Sequence, residues 1–261
     1  MVNLKKSAVL SGLFVLFLTL FAFTGCSERK LLLQKIEGRQ IAVTDSIRTS
    51  AAIENYITPY RNHIDKDLNA ILAFAPQTLD KSGEWQSTVG SLQADITLAA
   101  ADKLFYARQN KHVDFCLLNH GGIRSIISKG NITTRTAFEL MPFENSLVVV
   151  ALKGEQVLEL VTYFIEGKKP HPLSGISFTI GNNGLAKNII IQNQPFDLSK
   201  TYYIATNDYL YNGGDNMVFF KKGTAVYDLD YKLRNVWIDY FKAVDSLPFI
   251  TEVRVFTEKK Q

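Results

Sequence analysis

The sequence predicts an α+β fold with mixed β-sheets layered against helices. Two observations carry that expectation. Helical stripes and hairpin-forming strands are interleaved without a regular strand–helix alternation, which argues against a doubly wound parallel sheet. From Gly175 onward the pattern turns almost wholly β, with short alternating runs separated by turn residues such as Asn182-Asn183-Gly184 and Asp197–Lys200.

The elements follow in order. Residues 1–25 read as a signal peptide: Lys5 and Lys6, then an almost wholly apolar run from Ala8 to Phe23, then Thr24-Gly25-Cys26. A cysteine placed directly after that small pair resembles a bacterial lipoprotein signal. On that resemblance Cys26 is the acylated mature N-terminus, and the chain is extracytoplasmic and lipid-anchored to an envelope membrane. A retained transmembrane anchor is the competing reading, since the run approaches spanning length. Residues 26–50 then form a membrane-proximal spacer, and residues 51–261 form the folded domain. The spacing of Ile53, Ile57, Ile64, Leu68 and Leu72 predicts a helix over 51–73, with Pro59 at its start or a kink. Val89, Leu92, Ile96, Ala99, Ala100 and Leu104 predict a helix over 88–109.

Val113–Leu118 is a buried strand. Ala137–Met141 and Leu147–Leu152 read as extended. Gly154 opens a helix over 155–165. Strands follow at 176–180, 189–191 and 202–205, then an amphipathic helix over 231–244 and a closing strand at 252–256.

The 261 residues are 46% hydrophobic, enough to bury a core and to exclude wholesale disorder. Setting residues 1–25 aside leaves 27 basic against 25 acidic residues, a net charge of +2. There is no basic run of the kind nucleic-acid binding needs, so no nucleic-acid partner is expected. With Cys26 acylated, Cys116 is the only thiol, and its place in an apolar run makes it a small core residue.

Three loops interrupt this pattern with chemistry. Asn119-His120-Gly121-Gly122-Ile123-Arg124 ends a core strand in an amide, two glycines and a guanidinium. Met141-Pro142-Phe143-Glu144-Asn145-Ser146 sets a ring and an amide before a strong strand. Ala205–Asn216 carries Tyr209, two glycines and Asp215. Each has an ordinary structural role open to it: a glycine turn, a hydrophobic plug, a helix cap. Together they supply two rings to sandwich a base, a carboxylate for ribose hydroxyls and a planar cation for phosphate. A sugar or peptide site could use the same groups.

In order and spacing, NHGGIR, GNIT, PFEN, ALKGEQVLELV and YYIATNDYLYNGGDN resemble the C-terminal, substrate-binding domain of the 5′-nucleotidase / UDP-sugar hydrolase family, over roughly residues 51–256. The resemblance implies a nucleotide or nucleoside ligand. Asn119 and Asn145 would contact the base, Gly122 would let the backbone approach, and Arg124 would meet phosphate. Phe143 and Tyr209 would stack on the base, and Asp215 would bind ribose; Tyr209 stands where the family usually has Phe. It also implies a separate N-terminal metallophosphoesterase domain that does the cleavage.

Two departures stand out. The segment Ser82–Leu92 lacks the family's phosphate-clamping arginine, with Lys81 the nearest cation and out of register. Lys168–Gly175 (KKPHPLSG) replaces a glycine-rich loop. None of the four histidines, His63, His112, His120 and His171, lies in a dinuclear-centre pattern, and each reads as a surface or loop histidine. No catalytic residue, metal ligand or cofactor is therefore assigned to this chain. Divalent metals are expected only in a partner metallophosphoesterase, which would act on nucleotide held by this lipoprotein. The alternatives are a non-catalytic nucleotide-binding lipoprotein, or a surface interaction protein with a degenerate site.

Overall fold

The computed structural model describes residues 4–22, 33, 35–44 and 47–258; Cys26 lies outside them. The chain divides into two units, residues 1–51 and 52–261. The first holds helix α1 (Leu4–Ala22). Among the described residues no helix is long and apolar enough to cross a membrane.

The second unit begins in α2 (Ala51–Leu68), β1 (Ile71–Ala75), α3 (Thr88–Gln109), β2 (Phe115–Leu117), β3 (Gly130–Thr133) and α4 (Thr134–Leu140). Next come β4 (Ser146–Lys153), α5 (Gly154–Gly167), β5 (Leu173–Ser174), β6 (Ile176–Ile180), β7 (Ala186–Ile191), β8 (Gln194–Pro195) and β9 (Thr201–Asn207). It closes with α6 (Asp208–Tyr211), β10 (Ala225–Lys232), α7 (Leu233–Ala243) and β11 (Val255–Thr257). The architecture is α+β, as the sequence predicts. A five-stranded sheet has the order β10-β4-β9-β2-β5, with only β2 and β9 parallel. A four-stranded sheet runs β11-β6-β7-β8, and β1 pairs with β3.

The central sheet is buried on both faces. Cys116, Leu118, Leu147 and Val149 join a core built with Val89, Leu92, Ile96 and Phe105 of α3 and Val236, Trp237 and Phe241 of α7. Their neighbours Phe115, Leu117, Val148 and Val150 point the other way, into a core with Val157, Leu160, Val161 and Phe164 of α5. Period-2 alternation thus feeds two cores, which is why these strands read as continuous apolar runs. Helix α3 starts on Ser87, whose hydroxyl accepts from the Gly90 N–H at 3.2 Å. Buried Arg254, 5% exposed, binds both carboxylate oxygens of Asp95 at 2.7 Å and ties the C-terminal segment to α3.

Two expectations are corrected. Residues 137–140 are helical: Thr133 and Thr136 form a capping box, a local signal that outranks the short apolar run. The helix expected over 51–73 stops at Leu68, because the apolar stretch 71–75 pairs with β3 as a strand. Pro59 lies inside that helix. His171 lies in a loop, between α5 and β5, and is buried there at 3% exposure.

Candidate functional site

The sheet delivers the site at its strand ends. Strand β2 runs out through buried Leu118 into Asn119, whose backbone stays extended before one tight turn, His120–Gly122. The Gly122 N–H donates to the Asn119 carbonyl at 3.0 Å. A Cβ on Gly122 would stand 2.9 Å from Asn119 Oδ1, so glycine there leaves room for the amide.

Strand β9, next to β2, ends at Asn207, whose side chain caps α6 by accepting from the Leu210 N–H at 2.8 Å. The chain then turns through Gly213 (φ 86°) and Asp215 (φ 51°), the latter in the left-handed region that Asp tolerates better than most residues. A Cβ on Gly214 would lie 2.4 Å from the Tyr209 ring, so only glycine lets that ring lie against the turn.

These two turns meet. Asn119 Nδ2 donates to Asp215 Oδ2 at 2.7 Å, and the Tyr209 hydroxyl donates to Asp215 Oδ1 at 3.0 Å. From α5, the Tyr163 hydroxyl donates to the Asp215 carbonyl at 2.7 Å. Asn119 is 7% exposed, whereas Tyr209 is 46% exposed and presents its ring to solvent. Asn145 and Tyr209 line a cavity of about 490 Å³ with Asp208, Asn212, Gly213 and Gly214.

Phe143, 39% exposed, sits apart from that cavity's lining, with the Arg124 guanidinium 5.9 Å from its ring centroid. Phe143 and Tyr209 make no ring contact with each other. Arg124 reaches back to the Gly121 carbonyl at 3.3 Å. Contacts therefore run from Phe143 through Arg124 and Gly121 to Asn119, Asp215 and Tyr209.

Three groups absent from the predicted set support this arrangement. Lys81 Nζ donates to the Ile123 carbonyl at 2.5 Å, so two cations grip carbonyls of one turn. Burial and the Arg124 charge both pull the Lys81 pKa down. Among the described residues neither cation forms an ion pair with a carboxylate. His171 Nδ1 accepts the His120 backbone N–H at 3.1 Å, and its ring lies near Tyr163 and Phe164, with centroids 5.8 and 5.9 Å away. Burial first, then Lys169, draws its pKa to about 4. Arg234 of α7 holds the Phe143 loop by donating to the Met141 and Phe143 carbonyls at 2.9 Å. All three lie far along the chain from the residues they hold, and nothing local in the sequence marks them.

Burial pushes the Cys116 thiol pKa up, in keeping with an inert core residue. Among the described residues no group of three or more His, Cys, Asp or Glu is placed to hold a metal ion.

Residues 67–222 match the family model described as 5′-nucleotidase, C-terminal domain. A relative in Salmonella pullorum, Protein UshA, is 32% identical over 192 residues, covering 72% of this chain and 34% of its own length. A Listeria monocytogenes cell wall protein, Lmo0130, is 28% identical over 178 residues, covering 60% of this chain and 21% of its own. The crystal structure of a 5′-nucleotidase precursor from Thermus thermophilus superposes with a TM-score of 0.67 at 23% identity, covering 80% of this chain and 43% of that one. The chain spans between 14% and 34% of the length of these and other curated relatives it matches.

Proposed function

Since this chain belongs to the family of 5′-nucleotidase C-terminal domains, we propose that it is the substrate-binding half of a 5′-nucleotidase-type phosphohydrolase. It holds a nucleotide outside the cytoplasm for a separately encoded metallophosphoesterase. The observation that carries this reading is the meeting of Asn119, Tyr209 and Asp215 at two adjacent strand ends. Each Asp215 oxygen accepts one protein donor and retains capacity for another, which suits a ribose diol. The Tyr209 face offers a stacking platform, and Phe143 is the ring for the opposite face of the base. Arg124 and Lys81, two neighbouring cations without a carboxylate partner among the described residues, are a costly pairing that a phosphate dianion would relieve.

In this proposal the divalent metals of the cleavage step belong to the partner, and this chain contributes binding and orientation. The envelope location and the Cys26 anchor are supported by Lys5-Lys6, the apolar run and Thr24-Gly25-Cys26. The name of the Listeria relative supports the location as well.

Two measurements test the reading together. Affinity capture of the full chain from its native envelope should recover a metallophosphoesterase, and calorimetry should detect AMP binding that Asp215→Ala weakens at least tenfold. A chain that captures no phosphoesterase and takes up neither AMP nor adenosine refutes it.

A further inference from the structure

Resting on that reading, we propose that Asp208 makes the site select nucleobases bearing an exocyclic amine over their keto counterparts. The inference comes from a hydrogen-bond inventory of the cavity beside Tyr209. Asp208 uses Oδ1 to accept the Tyr209 N–H at 2.8 Å, while Oδ2 has neither a hydrogen bond nor an ion pair among the described residues. Asn212 spends its Nδ2 on the Asp208 carbonyl at 2.8 Å, which leaves its side-chain oxygen open. Asn145 is anchored through its backbone, its carbonyl accepting from the Leu233 N–H at 3.1 Å, and its side-chain amide is uncommitted. The open side-chain groups are thus one carboxylate oxygen, the oxygen and second N–H of the Asn212 amide, and the whole Asn145 amide. The one charged group among them is an acceptor. Lys221 approaches Gly213, its Nζ 3.2 Å from where a side chain there would begin, but it does not line the cavity.

A base lying on the Tyr209 ring turns its edge toward these groups. An amine donates to Asp208 Oδ2 in a charge-assisted bond. The Asn145 amide pairs with the amine and an adjacent ring nitrogen, the fit that lets an asparagine read an adenine edge. In the same pose a keto group in the amine's place sets lone pairs against the carboxylate, and pairing Oδ2 with the adjacent ring N–H of hypoxanthine instead requires the base to shift and give up its Asn145 contact. Sites that hydrogen-bond a ligand group discriminate strongly against the analogue lacking it. The expected preference is about tenfold to a hundredfold for AMP over IMP, which share ribose and phosphate.

The experiment is calorimetric titration of the full chain with AMP and IMP, in the wild type and in Asp208→Asn. The asparagine keeps an oxygen for the Tyr209 N–H, removes the charge and adds a donor. AMP should bind the wild type at least tenfold tighter, and the ratio should collapse toward one in the variant, chiefly because IMP gains. Should Asp208→Asn fail to fold, Asp208→Ser keeps the oxygen and gives the same collapse. Equal affinities in the wild type, or a ratio that survives both variants, overturn this inference while leaving nucleotide binding intact. Binding of neither nucleotide overturns the parent reading and this one with it.

Discussion

Lowering the pH from 7 to 5 should destabilise this domain through His171. In the fold, burial holds the imidazole pKa at about 4, against 6.5 for a free histidine. The neutral form is therefore the one the fold accepts: its Nδ1 lone pair takes the His120 N–H, and the ring packs near Tyr163 and Phe164. The unfolded chain binds a proton near pH 6.5, but the folded chain does so only near pH 4. Stability is thus full above pH 6.5, falls as the pH drops toward 4 and levels off below it. At about 1.36 kcal/mol per pKa unit the complete loss is roughly 3 kcal/mol, of which about 2 kcal/mol falls between pH 7 and 5. Other groups titrate over the same range, so the comparison needs a variant that cannot. His171→Asn offers an amide oxygen to the His120 N–H and carries no charge. Urea unfolding at pH 7 and 5 should show the wild type losing about 2 kcal/mol more than the variant, with equal denaturant slopes. Parallel losses in the two proteins would refute the argument.

Three further outcomes follow from the geometry. Lys81→Met should weaken AMP binding about tenfold and leave adenosine binding unchanged, since its head lies beside Arg124; an equal loss for both ligands in calorimetry would place Lys81 in the scaffold instead. Gly214→Ala sets a carbon 2.4 Å from the Tyr209 ring and should displace it, costing most of the nucleoside affinity with the melting temperature little changed. Arg254→Met strands Asp95 beside a buried apolar side chain and should cost roughly 2–3 kcal/mol in urea unfolding, with no change in AMP affinity at a folded concentration.

The residues that come together in the structure are legible where chemistry interrupts a strand end. Asn119 and Asp215 stand out because an amide and a carboxylate beside paired glycines have no work in a core, and β2 and β9 are neighbours that bring them within 2.7 Å. Lys81 and Arg234 are not legible, because a lysine 42 residues from Ile123, or an arginine 91 residues from Phe143, reads as surface charge until the fold supplies its partner. His171 misleads for a related reason. Its flanking prolines and lysines signal an exposed loop, and only tertiary packing turns the ring inward. Strand β10 escapes a reading of the sequence because it is an edge: Asp228 and Asp230 break the apolar pattern, and its tyrosines lie only partly covered.

The protein's own contacts hold the site's carboxylate in place. Asp215 is fixed at four atoms: Asn119 Nδ2 and the Tyr209 hydroxyl bind its two oxygens, Tyr163 takes its carbonyl, and its N–H points at the Tyr209 oxygen at 3.3 Å. A carboxylate in the left-handed region on a glycine-rich turn would otherwise sample many orientations, and a ligand would have to select one. In the proposed binding mode Tyr209 has two duties, since the ring offered to a base also locks the carboxylate that would take the sugar. Phenylalanine at that position would keep the face and lose the lock. The tyrosine hydroxyl therefore holds the Asp215 carboxylate by a bond that phenylalanine could not make.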